Sequence, residues 1–189
     1  MENSIYRQKN SEPVIYGSTL KIRNIYAPGA IIFVAEMNNE TNKIEGIGLI
    51  KNLLVHDKRH KIYDINEYNR YIYRGKYWIS RDKIIEYNKD ILEIFENILF
   101  KGKSHLKCRI GITIITEKLF VHWDYELITL KNMVRSLFVN YFKNNLDDEL
   151  TNEIEKKEKT EKKEKTDETD ENEYFEIIPK KRKRQEKLN

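Results

Sequence analysis

The chain has 189 residues, of which 39% are hydrophobic and 35% charged, a composition that suits one domain of ordinary size plus a tail. Its charge is uneven: residues 1–146 hold 23 bases against 16 acids, a body of +7, while residues 147–189 hold 12 bases against 15 acids. A single cysteine, Cys108, rules out an internal disulfide, no apolar run approaches the roughly 20 residues that span a bilayer, and the polar start MENSIYRQKNSE lacks a signal-peptide core. These features predict a soluble intracellular protein without a membrane partner, whose basic body favours a polyanion. The abundant Ile, Asn, Lys and Tyr all have A/T-rich codons, a bias typical of some large DNA viruses and some parasites.

Residues 1–12 read as a mobile arm. Val14 to Tyr26 has the alternation of an extended segment, interrupted at Gly17. Pro28-Gly29 marks a turn. Ile31–Met37 and Ile44–Lys51 then form a β-hairpin across the polar connection Asn38–Lys43. The first of these strands is apolar at nearly every position, as a strand buried on both faces would be. Gly46 and Gly48 lie two apart on one face of the second, where missing side chains admit a close neighbour. Tyr68–Ser80 reads as a second hairpin turning at Arg74-Gly75-Lys76.

A helix is predicted over Lys83–Phe100, capped by Asp82 and stopped at Gly102, with Ile84, Tyr87, Ile91, Ile94, Phe95, Ile98 and Leu99 on one face. Cys108–Thr116 is a β-branched strand candidate. A second helix, about Tyr125–Asn144, follows with Leu127, Leu130, Val134, Leu137, Phe138, Tyr141 and Phe142 on its apolar face. Residues 13–146 therefore form one α+β domain. From residue 147 the chain is dominated by Glu, Lys, Thr and Asp, a composition expected to stay disordered because it buries too little apolar surface to offset ordering entropy. The one apolar island there, Tyr174–Ile178, either docks a partner or adds a strand to the body's edge. Pro179 precedes Lys180, Lys181, Arg182, Lys183 and Arg184, a run that resembles a monopartite nuclear localisation signal read by an import adaptor. The same run also fits a solvated tail or a nucleic-acid-binding arm. The nucleus is favoured over the cytoplasm on this basis.

Cations and aromatic rings are interleaved in the middle of the chain. Lys58, Arg59 and Lys61 precede Arg70, Tyr71, Tyr73, Arg74, Lys76, Tyr77 and Trp78, and a second basic run holds Lys101, Lys103, His105, Lys107 and Arg109. Cations neutralise phosphates and rings stack on unpaired bases, so a sheet carrying both suits nucleic acid. Strand alternation sends about half of such rings into the core. Metal chemistry has little support: His56 and His60 are four apart in a non-helical segment, and His105 and Cys108 are isolated. No phosphate loop or nucleophile elbow is present, and no cofactor is implied. Glu36 and Asp124 are the two carboxylates whose apolar neighbours would allow burial beside a base or nucleotide.

The order Tyr16-Gly17-Ser18-Thr19, GAIIFVAEM and KIEGIGLI, within residues 14–51, resembles the front half of the PUA-like barrel superfamily, which includes EVE, ASCH and YTH domains. That resemblance implies a small mixed β-barrel with two packing helices that binds RNA or a modified base. It places Ser18 and Thr19 at the pocket edge and makes Trp78 the aromatic wall, with Tyr77 or Trp123 behind it. The three-ring cage of YTH domains has no counterpart here, so methylated-adenine reading is not implied. The composition and central block also resemble uncharacterised proteins of large nucleocytoplasmic DNA viruses. The resulting expectation is a non-enzymatic nucleic-acid-binding module, RNA favoured over DNA. The alternatives are a protein-interaction adaptor and an enzyme acting on a base or nucleotide.

Overall fold

A computed structural model describes residues 2–10, 14–22, 26–101, 106, 111–143 and 174–179. The elements are α1 (Glu2–Asn10), β1 (Val14–Ser18), β2 (Ile31–Asn38), β3 (Lys43–Lys51), β4 (Tyr71–Gly75), β5 (Tyr77–Ser80), α2 (Arg81–Phe100), β6 (Thr113–Ile114), α3 (Leu127–Tyr141) and β7 (Tyr174–Pro179). The strands make two sheets, one of β1 and β4 and one ordered β5-β3-β2-β7-β6.

Strand alternation builds three layers of core. Ile31, Phe33, Ala35, Met37, Ile47, Leu49, Tyr77 and Ile79 leave one face of the large sheet and meet Ile84, Ile91, Phe95 and Ile98 of α2 and Leu130, Val134 and Phe138 of α3. Ile32, Val34 and Ile50 leave the opposite face and meet Val14, Tyr16 and Tyr73 of the small sheet. Ile15 and Ile72 point out of the small sheet's far side onto Ile62, with Tyr6 and Tyr63 packed against them. Being covered on both faces, β2 is buried at all eight positions. The β2–β3 hairpin forms as the pattern predicts, with a bulge: Glu36 faces Gly46 but Met37 faces Ile44. The extra residue, Glu45, reverses the alternation, so Ile44 and Ile47 both reach the helix side.

The structure corrects the barrel expectation. Both sheets are open, and among the described residues no ladder joins β5 to β6 or the small sheet to the large one. The physical reason lies at Gly75. Residues 71–80 do not fold back as a hairpin; β4 pairs with β1 and β5 pairs with β3. The chain passes from one sheet to the other at Gly75, where a Cβ would overlap the Leu49 carbonyl oxygen. Strand pattern had reported which faces are buried, and a barrel was one of several ways to bury them.

Other differences are local. The segment expected to be a mobile arm contains α1. α2 begins two residues earlier than predicted, because Ser80 Oγ accepts the Lys83 N–H, and α3 is shorter at both ends. α2 is also kinked at Asn88, which has extended backbone angles (φ −159°, ψ 100°). The Asn88 side chain accepts the Asp90 N–H at 3.0 Å and so caps the second helical segment. The kink turns Tyr87 out of the predicted apolar face to hydrogen-bond Asn140. The apolar island of the tail is a strand: β7 runs parallel to β2 and antiparallel to β6, covering the edge that β2 would otherwise expose.

Candidate functional site

Gly46 and Gly48 open a trough in the face of β3. A Cβ on Gly46 would lie 2.6 Å from the Trp78 ring, and one on Gly48 would lie 2.1 Å from the Tyr16 hydroxyl. The close neighbours that the glycine spacing predicts are therefore these two side chains. Both point at Glu36, on the adjacent strand. Glu36 Oε1 accepts from Tyr16 OH at 2.8 Å, from Trp78 Nε1 at 3.0 Å and from Arg7 Nη1 at 2.6 Å, and Oε2 accepts from Arg7 Nη2 at 3.1 Å. Arg7 also lies over the Trp78 ring, 4.8 Å from its centroid. Burial first, and the Glu36 charge second, push the Tyr16 phenol well above its ordinary value, so it stays a donor. Burial opposes the charge on Arg7, but Glu36 outweighs it and the guanidinium is held protonated.

The preceding residue of α1 reaches a second cluster. Tyr6 OH lies 2.9 Å from His60 Nδ1, and His60 Nε2 lies 3.0 Å from Asp57 Oδ1. An Nε2–H tautomer satisfies both contacts, with His60 donating to Asp57 and accepting from Tyr6. Arg74 donates to the other Asp57 oxygen at 3.1 Å. The His60 hydrogen bond, aided by Arg74, holds the Asp57 carboxyl well below the usual carboxylate range. This cluster pins residues 57–60 to the outer side of β4. Asn69 pins the other end of the same loop: its Oδ1 accepts the N–H groups of Ile62 and Tyr63, both at 2.9 Å, and its Nδ2 donates to the Tyr63 carbonyl at 2.7 Å.

The two clamps fix the loop that carries Lys58, Arg59 and Lys61, with Arg74 holding Asp57 at one end and Arg70 following Asn69 at the other. The first three and Arg70 are exposed, and none of these four makes an ion pair among the described residues. Lys76 is exposed just beyond Gly75. Half-exposed rings accompany the cations. Tyr68 packs edge-on to Tyr63 at 5.9 Å, and Tyr71 has Arg70 and Lys21 over its ring at 5.4 and 5.7 Å. The sequence pattern singled out Tyr71 but not Tyr63 or Tyr68. The signal available for them was their position between Lys61 and Arg70.

The other predicted positions do not assemble. Tyr77 and Trp78 point to opposite faces of the large sheet, as alternation requires, so Tyr77 is buried against Phe142. Trp123 stacks on Tyr125 on the helix side, away from Trp78. Ser18 is buried and accepts the Leu20 N–H, and Thr19 is half-buried beneath Gly111. Ser18 pairs with Tyr71 at one end of the small sheet, whereas Trp78 follows from the other end. Lys101 lies at the end of α2, in a groove shared with Arg81, Glu93 and Glu96. Lys103, Lys107, Arg109, His105 and Cys108, and the run Lys180, Lys181, Arg182, Lys183 and Arg184, lie outside the described residues. Of the two carboxylates, Glu36 is buried and charge-paired, and Asp124 is exposed beside Trp123. No group of three or more metal-ligating side chains occurs among the described residues, and no helix among them is long and apolar enough to cross a membrane.

Comparison with protein families, with curated proteins and with solved structures finds no match to this chain. With the open sheets, this removes the PUA-like and EVE-like assignment and leaves the viral likeness without support.

Proposed function

We propose that this protein is a non-catalytic module that binds single-stranded nucleic acid, RNA in the first instance, through the loop before β4 and the start of that strand. The observation that carries the reading is the clamped basic loop. Asp57–His60–Arg74 at one end and Asn69 at the other fix the loop that carries the exposed Lys58, Arg59 and Lys61 and the half-exposed Tyr63 and Tyr68. Exposed cations on a fixed loop neutralise phosphates at little entropic cost, and half-exposed rings accept unstacked bases. Loop cations with no structural duty would need no such anchoring.

The test compares the full-length protein with a Lys58→Gln/Arg59→Gln/Lys61→Gln variant on a short single-stranded RNA and its DNA equivalent. The variant should bind at least about tenfold more weakly at moderate salt. Its plot of log affinity against log salt should be shallower by about 2, at roughly 0.7 per lost phosphate contact. Unchanged affinity in a variant that keeps its circular dichroism spectrum would remove the basic loop from the interface.

A further inference from the structure

Glu36 sits on an interior face of the large sheet, yet the charge that neutralises it comes from outside both sheets. Both Arg7 guanidinium nitrogens meet the two Glu36 oxygens, and the guanidinium carbon lies over the Trp78 ring. A flat group with two adjacent N–H donors, resting on an indole and facing a carboxylate, is also what a guanine base offers through N1–H and its exocyclic amine. Adenine presents an acceptor at N1 and cannot make the same pair.

The helix that delivers Arg7 is short and is anchored through two consecutive side chains, Tyr6 and Arg7. Nine residues are too few for a stable isolated helix. Ile5 is 61% exposed, and Arg7 is the one buried side chain described in α1. Tyr6 and Arg7 are consecutive, and they reach His60 of the basic loop and Glu36 of the trough respectively. The loop and the trough therefore lie under neighbouring residues of one displaceable segment.

We propose that the Glu36–Trp78 trough is a guanine-recognition site adjoining the basic loop, and that Arg7 is its built-in competitor. On binding, α1 withdraws, the guanine edge takes the place of the guanidinium on Glu36, its ring stacks on Trp78, and the flanking phosphates meet Lys58 and Arg59. An arginine from a partner protein would match the carboxylate equally well. The net charge of +7 on residues 1–146 repels a basic peptide and attracts phosphate, so charge complementarity assigns the nucleotide. This inference rests on the nucleic-acid reading of the loop.

The test uses full-length protein, the pentaribonucleotides UUGUU and UUAUU, and guanosine and adenosine monophosphates, with calorimetric titration and circular dichroism on each variant. The wild type should prefer UUGUU. Arg7→Ala should raise affinity for UUGUU and for guanosine monophosphate about tenfold with little change for the adenine probes. Arg7→Lys, which keeps a cation for Glu36 but loses the fork and the stack, should act in the same direction if the alanine variant does not fold. Glu36→Gln should abolish the guanine preference while leaving the salt-dependent affinity in place. Equal binding of both bases by folded wild type and Arg7 variants would overturn the proposal, as would a guanine preference that survives Glu36→Gln. An arginine peptide that binds the Arg7 variant where guanosine monophosphate does not would also overturn it. Base-blind RNA binding would defeat this inference alone. A complete lack of RNA binding would defeat the basic-loop reading, and the mononucleotide titration would still decide the trough.

Discussion

Glu36→Ala should lower the unfolding free energy by about 3–5 kcal/mol, the range for removing one partner of a buried ion pair. Glu36 is the common acceptor of three groups from three separate elements: Arg7 of α1, Tyr16 of β1 and Trp78 of β5. Alanine would strand all three donors at once. Arg7→Ala should cost less, because it removes one of the three donors and leaves Tyr16 and Trp78 bonded to Glu36. Urea titrations followed by circular dichroism separate the two. The Tyr16 shift adds a pH signature. Its folded value lies above the ordinary 10, so its contribution is complete below pH 10 and declines as pH rises through the folded value. A loss below about 1 kcal/mol in Glu36→Ala, the worth of one ordinary hydrogen bond, would show that the three donors do not depend on it.

Ile177→Pro should cost about 3 kcal/mol and promote aggregation. Ile177 faces Ala35 of β2 on one side and Thr113 of β6 on the other, so its N–H points at a neighbouring strand whichever way it is turned. Proline removes that donor and leaves a carbonyl partner unpaired inside a sheet. Loosening β7 then uncovers the edge of β2, a fully buried apolar strand and therefore a template for pairing between chains. Thermal melts and light scattering measure both effects. A variant with unchanged melting temperature and solubility would mean that β7 contributes nothing to the sheet.

What could be read from the chain depended on how local the signal was. The faces of β2, β3, α2 and α3 follow from alternation and helical period, which report burial directly. The glycine pair on β3 announced a close approach because only a missing side chain permits one. Partner choice was harder to read. Tyr71–Ser80 has the composition of a hairpin, and only the contact of Gly75 with the Leu49 backbone shows that its two halves belong to different sheets. β7 is separated from β2 by most of the chain, and its parallel pairing leaves no turn signature. In the candidate site, the cations were legible as a cluster because loop residues and strand ends expose them. That an arginine covers Trp78 was not legible: it comes from a short polar helix, whose pattern reads as a mobile arm.

The most direct test of the basic loop as the binding surface is ultraviolet cross-linking of the full-length protein to a photoreactive single-stranded RNA, with adducts located by mass spectrometry. Adducts should concentrate between Lys58 and Tyr71, with Tyr68 or Tyr71 as the aromatic acceptor. Adducts confined to the groove along α2, or none at RNA concentrations that saturate binding, would contradict it.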